Sequence, residues 1–187
     1  KIAEKKMLTG DIVELRIELT DPESIDFVAG QYIQLESKEY KGRESVIRAY
    51  SISSPPSIKN AVELIIRYVP GGICTTWVFE HTQQEEEVFF SGPYGEFHLS
   101  DTTSPIICIA GGSGMAPIWS ILRDMQQREI TRETHYFFGA RTQKDLFYID
   151  ELRELARHHE WFHFIPALSS EPESSDWNGE RGIITDV

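Results

Sequence analysis

Cysteine is nearly absent from this chain: in 187 residues only Cys74 and Cys108 occur. Two thiols exclude a disulfide-stapled scaffold and cannot supply the four thiolates of a ferredoxin-type cluster. With no basic and then apolar leader pattern at the start, they also point to a reducing, cytoplasmic compartment. Long apolar runs are missing too. The strongest, Ile106 to Ala110, falls far short of the ~20 residues that a membrane-spanning helix needs, so no membrane segment is expected in this chain. Positive charge is short: 18 Lys and Arg face 30 Asp and Glu, a net charge of -12 that repels phosphate backbones and anionic lipid. Nucleic acid is therefore not expected as a partner. There is no solenoid-length repeat and no low-complexity tract. The remaining composition, 40% hydrophobic and 26% charged, is that of an ordinary folded protein long enough for one large domain or two small ones.

Two styles of patterning divide the chain. From Asp11 to about Ser100 the period is two: Val13, Leu15, Ile17 and Leu19 alternate with Glu14, Arg16 and Glu18, as in a half-buried strand. Similar short runs at Tyr32 to Leu35, Val46 to Ile52, Val62 to Val69 and Val88 to Phe90 are punctuated by Gly, Pro, Ser and Asn, which predicts a small antiparallel β-barrel. After Asp101 to Pro105 the pattern changes. Ile106 to Ile109 is an unalternated apolar strand, expected to be buried on both faces of a parallel sheet. A Gly-rich turn leads into a helix with Pro117 in its first turn and Ile118, Ile121, Leu122 and Met125 on one stripe. The unit recurs as strand Tyr136 to Phe138, loop Gly139 to Asp145, helix Asp150 to His158 and strand Phe162 to Leu168. Such alternation predicts right-handed βαβ crossovers and a parallel-sheet α/β domain. The expected division is 1–102 and 103–187.

Three segments carry candidate chemistry. Gly111, Gly112, Ser113, Gly114, Met115, Ala116 and Pro117 join a strand to a helix, where free N–H groups and the macrodipole attract a phosphate. The turn lacks the GK[ST] ending of a P-loop, and glycine spacing alone leaves a ligand-free tight turn equally open. Arg48, Ala49, Tyr50 and Ser51 put a planar guanidinium, suited to a diphosphate, beside an aromatic face suited to a flat ring. Gly71, Gly72, Ile73, Cys74, Thr75, Thr76 and Trp77 form either a second phosphate cradle or a hairpin loop with a Thr cap.

In order and spacing, RAYS, GGICTTW, GPYGEF and GGSGMAP resemble the ferredoxin–NADP+ reductase superfamily over nearly the whole chain. The likeness is strongest to the FAD and NAD(P)H portion of iron–sulfur flavoprotein reductases. Among these are the reductase components of monooxygenases and the flavin subunit of Na+-translocating NADH:quinone reductases. The stretches Gly139 to Leu152 and Trp177 to Gly182 are similar to the same proteins.

The resemblance implies that Arg48 binds the FAD pyrophosphate with Ala49 beside it, Tyr50 stacks on the isoalloxazine, and Ser51 lies near flavin N5. Tyr50 and Ser51 are thus the catalytic candidates. Gly71, Gly72, Cys74 and Thr75 would hold the pyrophosphate. Gly111, Gly112, Ser113, Gly114, Met115 and Pro117 would receive the pyridine nucleotide, with Gly139 and Arg141 near its adenosine ribose. Asp145 beside Arg141, Thr142 and Lys144 inclines the expectation to NADH over NADPH.

The implied activity is electron transfer from NAD(P)H through FAD to a 2Fe-2S cluster in a missing domain of the parent chain or in a separate redox partner. A flavin-binding relay subunit that uses no pyridine nucleotide is the alternative. The family's later strand with its CGPP-like turn is not in this sequence, so the chain is expected to be a piece with its C-terminal strand and tail missing and with impaired hydride transfer. No metal site is expected: His158, His159 and His163 cluster in sequence, but no Cys or carboxylate set completes a tetrahedron.

Overall fold

The computed structural model describes residues 1–187. In the N-terminal half, β1 (Ile2–Met7), β2 (Ile12–Glu18) and β5 (Ala61–Arg67) form one antiparallel sheet in the order β1-β2-β5. A second antiparallel sheet has β3 (Tyr32–Glu36) between β4 (Ile47–Ser51) and β6 (Phe89–Tyr94). A bridge between Ile52 and Leu64 joins the two sheets. Alternation sends Val13, Leu15 and Ile17 inward to meet Ile33, Leu35, Val62, Leu64 and Ile66 in one core. That core is plugged by α1 (Ile73–Thr76), which continues as a π turn at Trp77–His81 and contributes Cys74, Trp77 and Val78. The first strand, β1, escaped the sequence reading because only Ile2 is fully buried along it. It is tied down from the side: the Lys5 ammonium donates to the carbonyls of Val78 and Thr82, closing the end of the π turn.

The second half is a parallel sheet in the order β10-β9-β8-β7, with β7 at Ile106–Gly111, β8 at Thr134–Ala140, β9 at Phe162–Leu168 and β10 at Glu180–Arg181. The helices α2 (Ala116–Gln127) and α3 (Ile149–His158) make the crossovers. Gly139, expected in a loop, is the sixth residue of β8, and Gly182 to Ile184 continue past β10 without pairing as a strand.

One expectation fails. The unalternated run Ile106 to Ile109 predicts burial on both faces, yet Ile107 is 69% and Ile109 55% exposed. Successive crossovers of one hand, adding strands in one direction, place both helices on a single face of the sheet. Neither helix covers the face carrying Ile107 and Ile109, and a run of apolar residues does not reveal that alternation.

The two halves share cores rather than merely touching. Ile12 and Ile65 of the first sheet pack with Met115, Ala116, Tyr136 and Phe138 of the second half, and Ala29 packs with Ile121 and Met125 of α2. Polar contacts follow the same seam. Buried Ser120 on α2 donates to the Ser54 carbonyl at 2.6 Å, and Glu63 on β5 accepts from Arg16 and Arg123, each at 2.7 Å.

Candidate functional site

The strand β4 is anomalous for a barrel. Ile47, Arg48 and Ala49 are all exposed and Tyr50 and Ser51 only half-buried, so nothing in the chain covers it. The Arg48 guanidinium donates only to its neighbour's carbonyl, Ile47 O, at 2.7 Å and has no carboxylate within 4 Å. An exposed, unneutralised Arg on an uncovered strand is a place for an anionic ligand. Nearby, Arg43 reaches towards the carbonyl of Gly71, which brings the Gly71–Gly72 turn to the same side. Gly71 has φ +77°, a conformation that disfavours a side chain, and a Cβ on Gly72 would lie 2.7 Å from the Thr75 hydroxyl.

Two members of that turn are not free to use their side chains. Cys74 is buried in the barrel core, where its thiol meets the Tyr50 hydroxyl, and burial pushes both groups' pKa values up. The Thr75 hydroxyl folds back onto the Val69 backbone, accepting from its N–H at 3.2 Å and bonding its carbonyl at 3.3 Å. Any contact from Cys74 or Thr75 to a phosphate must therefore come from the backbone. Met115 gives the same lesson in the second half: it is fully buried, leaving only its main chain to face a ligand.

Between the halves lies a cavity of about 320 Å³ lined by Gly30, Tyr32, Ser51, Gly95, Glu96, Phe97 and Pro117. It brings Ser51, from the barrel strand, to the same space as Pro117, from the Gly-rich turn. Aromatic rings bound it: Phe97 is 59% exposed, and Tyr32 packs against Tyr94 with centroids 5.8 Å apart. Gly30 and Gly95 are there because the walls touch, since a Cβ on either would meet the Phe97 carbonyl or the Tyr32 ring. Sequence reading missed Tyr32, Gly30 and Gln31. Tyr32 opens a strand and gives no local signal of a ligand, and the Gln31 amide that ties Val28 N–H to the Gly95 carbonyl spans 64 residues.

A second cavity of about 360 Å³ lies where the strands of the parallel sheet end, the usual ligand position in such sheets. It is lined by Gly111, Gly112, Gly139, Arg141, Asp145 and Ile184 among others. Gly112 takes φ +53° as β7 turns through a 3-10 segment, Gly112–Met115, into α2. Ser113 and Gly114 lie in that turn, with Pro117 at the start of the helix. A Cβ on Gly111 would meet the Gly139 carbonyl at 2.9 Å, so the floor of the groove is bare backbone. Charge here is largely spoken for. Asp145 accepts from Thr142 N–H and hydroxyl, both at 2.9 Å, and Arg67 is paired with Asp11 at 2.8 Å. Arg141 lines the groove without an acidic partner.

The histidines fall elsewhere than their sequence clustering suggested. His158 and His159 end α3, whereas His163 is on β9 and stacks on His135 of β8, centroids 4.5 Å apart. Glu133 completes a group of three whose ligand atoms lie within 4.8 Å of one another.

Comparison with known proteins bears on both halves. Residues 1–99 match the family model of the oxidoreductase FAD-binding domain, and residues 108–187 that of the oxidoreductase NAD-binding domain. The chain is 37% identical over 188 residues to the xylene/toluene monooxygenase electron transfer component XylA of Pseudomonas putida, which covers 99% of this chain and 51% of the relative. It is 40% identical to the reductase component of propane 2-monooxygenase from Mycolicibacterium goodii, over 96% of this chain and 51% of that protein. The crystal structure of the Amycolatopsis cytochrome P450 reductase GcoB superposes with a TM-score of 0.87 at 32% identity, covering 99% of this chain and 54% of that one. The chain thus spans about half the length of the curated relatives it matches. An open strand with a free arginine, a glycine-floored groove at the ends of a parallel sheet and these matches have one reading: the chain belongs to the ferredoxin reductase-like oxidoreductases built from an FAD-binding and an NAD-binding domain.

Proposed function

We propose that this chain is the FAD- and NAD(P)H-binding module of a reductase that passes electrons from NADH to an iron–sulfur centre, carried either by the parent chain or by a partner protein in a reducing compartment. We place the division between its FAD-binding and NAD-binding parts at residues 102 and 103. The observation that carries the reading is the shared cavity: Ser51 of the uncovered strand and Pro117 of the glycine turn line one space between the two halves.

The residues present fit an FAD. Arg48 and the backbone of Gly71 to Thr75 would take the pyrophosphate, the exposed edge of β4 would lie along the flavin with Ala49 closest to its backbone, and Tyr50 would offer a ring face. When bound, FAD accepts a hydride's two electrons at once and releases them singly, which is the chemistry an iron–sulfur acceptor requires. Ser51 is suited to donate a hydrogen bond to the ring atom that gains charge. Phe97 and Tyr32 would pack against a ring bound in the cleft, with Pro117 on its other side. The groove over Gly111, Gly112 and Gly139 would take the dinucleotide with its phosphates against bare backbone.

Nucleotide preference follows from what is already paired. A 2′-phosphate is held best by more than one free base, and Arg141 is the one unpaired cation lining the groove, with the Ser169 hydroxyl beside it, since Thr142 serves Asp145 and Arg67 serves Asp11. The expectation is NADH, with kcat/KM at least tenfold above NADPH. The test is an anaerobic visible spectrum of the full-length flavoprotein before and after stoichiometric NADH, then NADPH. Bleaching by NADH first supports the reading; flavin that neither nucleotide bleaches would replace it with a relay subunit fed by another protein.

A further inference from the structure

The group formed by Glu133, His135 and His163 is remote from both cavities, and neither proposed cofactor uses it. The register of the parallel sheet makes it: Ile107, His135 and His163 are direct neighbours on β7, β8 and β9. All three project from the sheet face opposite the helices. The two imidazoles therefore stack at 4.5 Å with their planes 24° apart, and Glu133, one residue before β8, turns its carboxylate to His135 Nε2 at 3.1 Å. That spacing is already close to the roughly 3.3 Å separating two ligands of one tetrahedral zinc with bonds near 2.0 to 2.1 Å. All three ligand atoms lie within 4.8 Å, so side-chain rotations of about an ångström would bring His163 to the same centre.

We propose that Glu133, His135 and His163 form a binding site for a borderline divalent transition metal, zinc above all, that clips β8 to β9. Two imidazoles and one carboxylate are a donor set suited to Zn2+, Cu2+ and Ni2+ and unsuited to Mg2+ or Ca2+, which take oxygen ligands. Ile107, the neighbour on β7, offers no donor, so these strands supply three ligands. No cation competes for Glu133: the adjacent Arg132 turns its guanidinium away to the backbone of Ser100 and Ser104. On binding, His135 Nε2 gives its lone pair to the metal and the ring's proton resides on Nδ1. The site is four residues before Gly139 on β8, about 13 Å from the floor of the nucleotide groove at the rise of a strand. Its role is thus structural or regulatory, separate from hydride transfer.

The test is calorimetric titration of metal-stripped, FAD-loaded protein with ZnCl2, alongside His135→Asn, His163→Asn and Glu133→Gln. The expected result is one equivalent bound at micromolar or tighter affinity, weakened at least 30-fold by either histidine change and about fivefold to tenfold by the glutamate change. MgCl2 at the same concentration should bind nowhere. Because neither histidine belongs to a buried core, the metal-free variants should keep the wild-type circular dichroism spectrum and melting temperature. Zinc should then raise the melting temperature of wild type alone. With one equivalent of Cu2+, electron paramagnetic resonance should show coupling to two imidazole nitrogens, reduced to one in His163→Asn. No stoichiometric zinc binding below about 100 µM, or an affinity that His163→Asn leaves unchanged, would overturn the site.

Discussion

Ser51 and Arg48 lie three residues apart on one uncovered strand and have separable tasks. Arg48 has only an exposed bond to the neighbouring Ile47 carbonyl to lose, so Arg48→Ala should leave the apoprotein's stability within about 0.5 kcal/mol while weakening FAD binding by about 1.5–3 kcal/mol, the worth of hydrogen bonds to a charged group. Titration of apoprotein with FAD, followed by flavin fluorescence, measures the affinity, and denaturant unfolding of the apoprotein measures the stability. Ser51→Ala should do the reverse, retaining FAD and slowing reduction by NADH about tenfold or more in rapid mixing. An unchanged rate would remove Ser51 from the chemistry. The sequence motif names the strand these two residues occupy, and the structure leaves that strand uncovered. Cys74, Thr75 and Met115 were less legible, since a motif gives a residue's position but not whether its side chain or its backbone meets the ligand. Their side chains turn to the core and to Val69, and burial alone reveals it.

At the scale of elements, α3 is held to the barrel at its first turn. Tyr148 caps the helix in the left-handed conformation, φ 54°, which costs a non-glycine residue about 1–3 kcal/mol unless its surroundings fix it. Here the ring stacks on Trp119 at 5.0 Å, and the hydroxyl donates to Glu14 on β2. Burial raises the Glu14 pKa above the ordinary carboxylate value, an effect the Tyr148 bond only partly opposes. A carboxyl whose folded pKa lies above its unfolded one stabilises the fold at pH below the unfolded value, and that contribution is lost as pH rises through the folded value. Glu14→Gln keeps the acceptor and removes the titration. Its melting temperature should therefore gain on wild type as pH goes from about 5 to 8. Parallel pH profiles of the two proteins would refute the argument.

The same scale shows where patterning was informative. The strand β9 falls at Phe162–Leu168 as its residues foretold, and so does α2 with its stripe. The stacking of His163 on His135 was invisible, because it depends on the register of strands 28 residues apart, and so was the exposure of Ile107 and Ile109 on β7, because every residue there is apolar.

For the whole molecule the question is whether two matched families mean two folding units. The seam argues for one. Ile12 and Ile65 belong to the core of the other half, and Ser120 donates to Ser54 in a setting that excludes water. Glu63 sits between Arg16 and Arg123, its side chain 13% exposed against 28% and 27% for the two arginines. Separating the halves would leave that carboxylate without Arg123 and Arg123 without a carboxylate, while uncovering apolar surface on both sides. The halves should therefore unfold together, in a single calorimetric transition whose enthalpy equals the van't Hoff value. Glu63→Ala removes the acid shared by two arginines and should cost about 1–3 kcal/mol, less than the 3–5 kcal/mol of a fully buried pair because the arginines reach solvent. Glu63→Gln, which keeps hydrogen bonding without the charge, should recover part of that loss. If wild type instead melts in two steps and Glu63→Ala shifts neither, the seam is a contact between independent domains. Relative motion of the two cofactor sites would then have to enter any account of hydride transfer across the cleft.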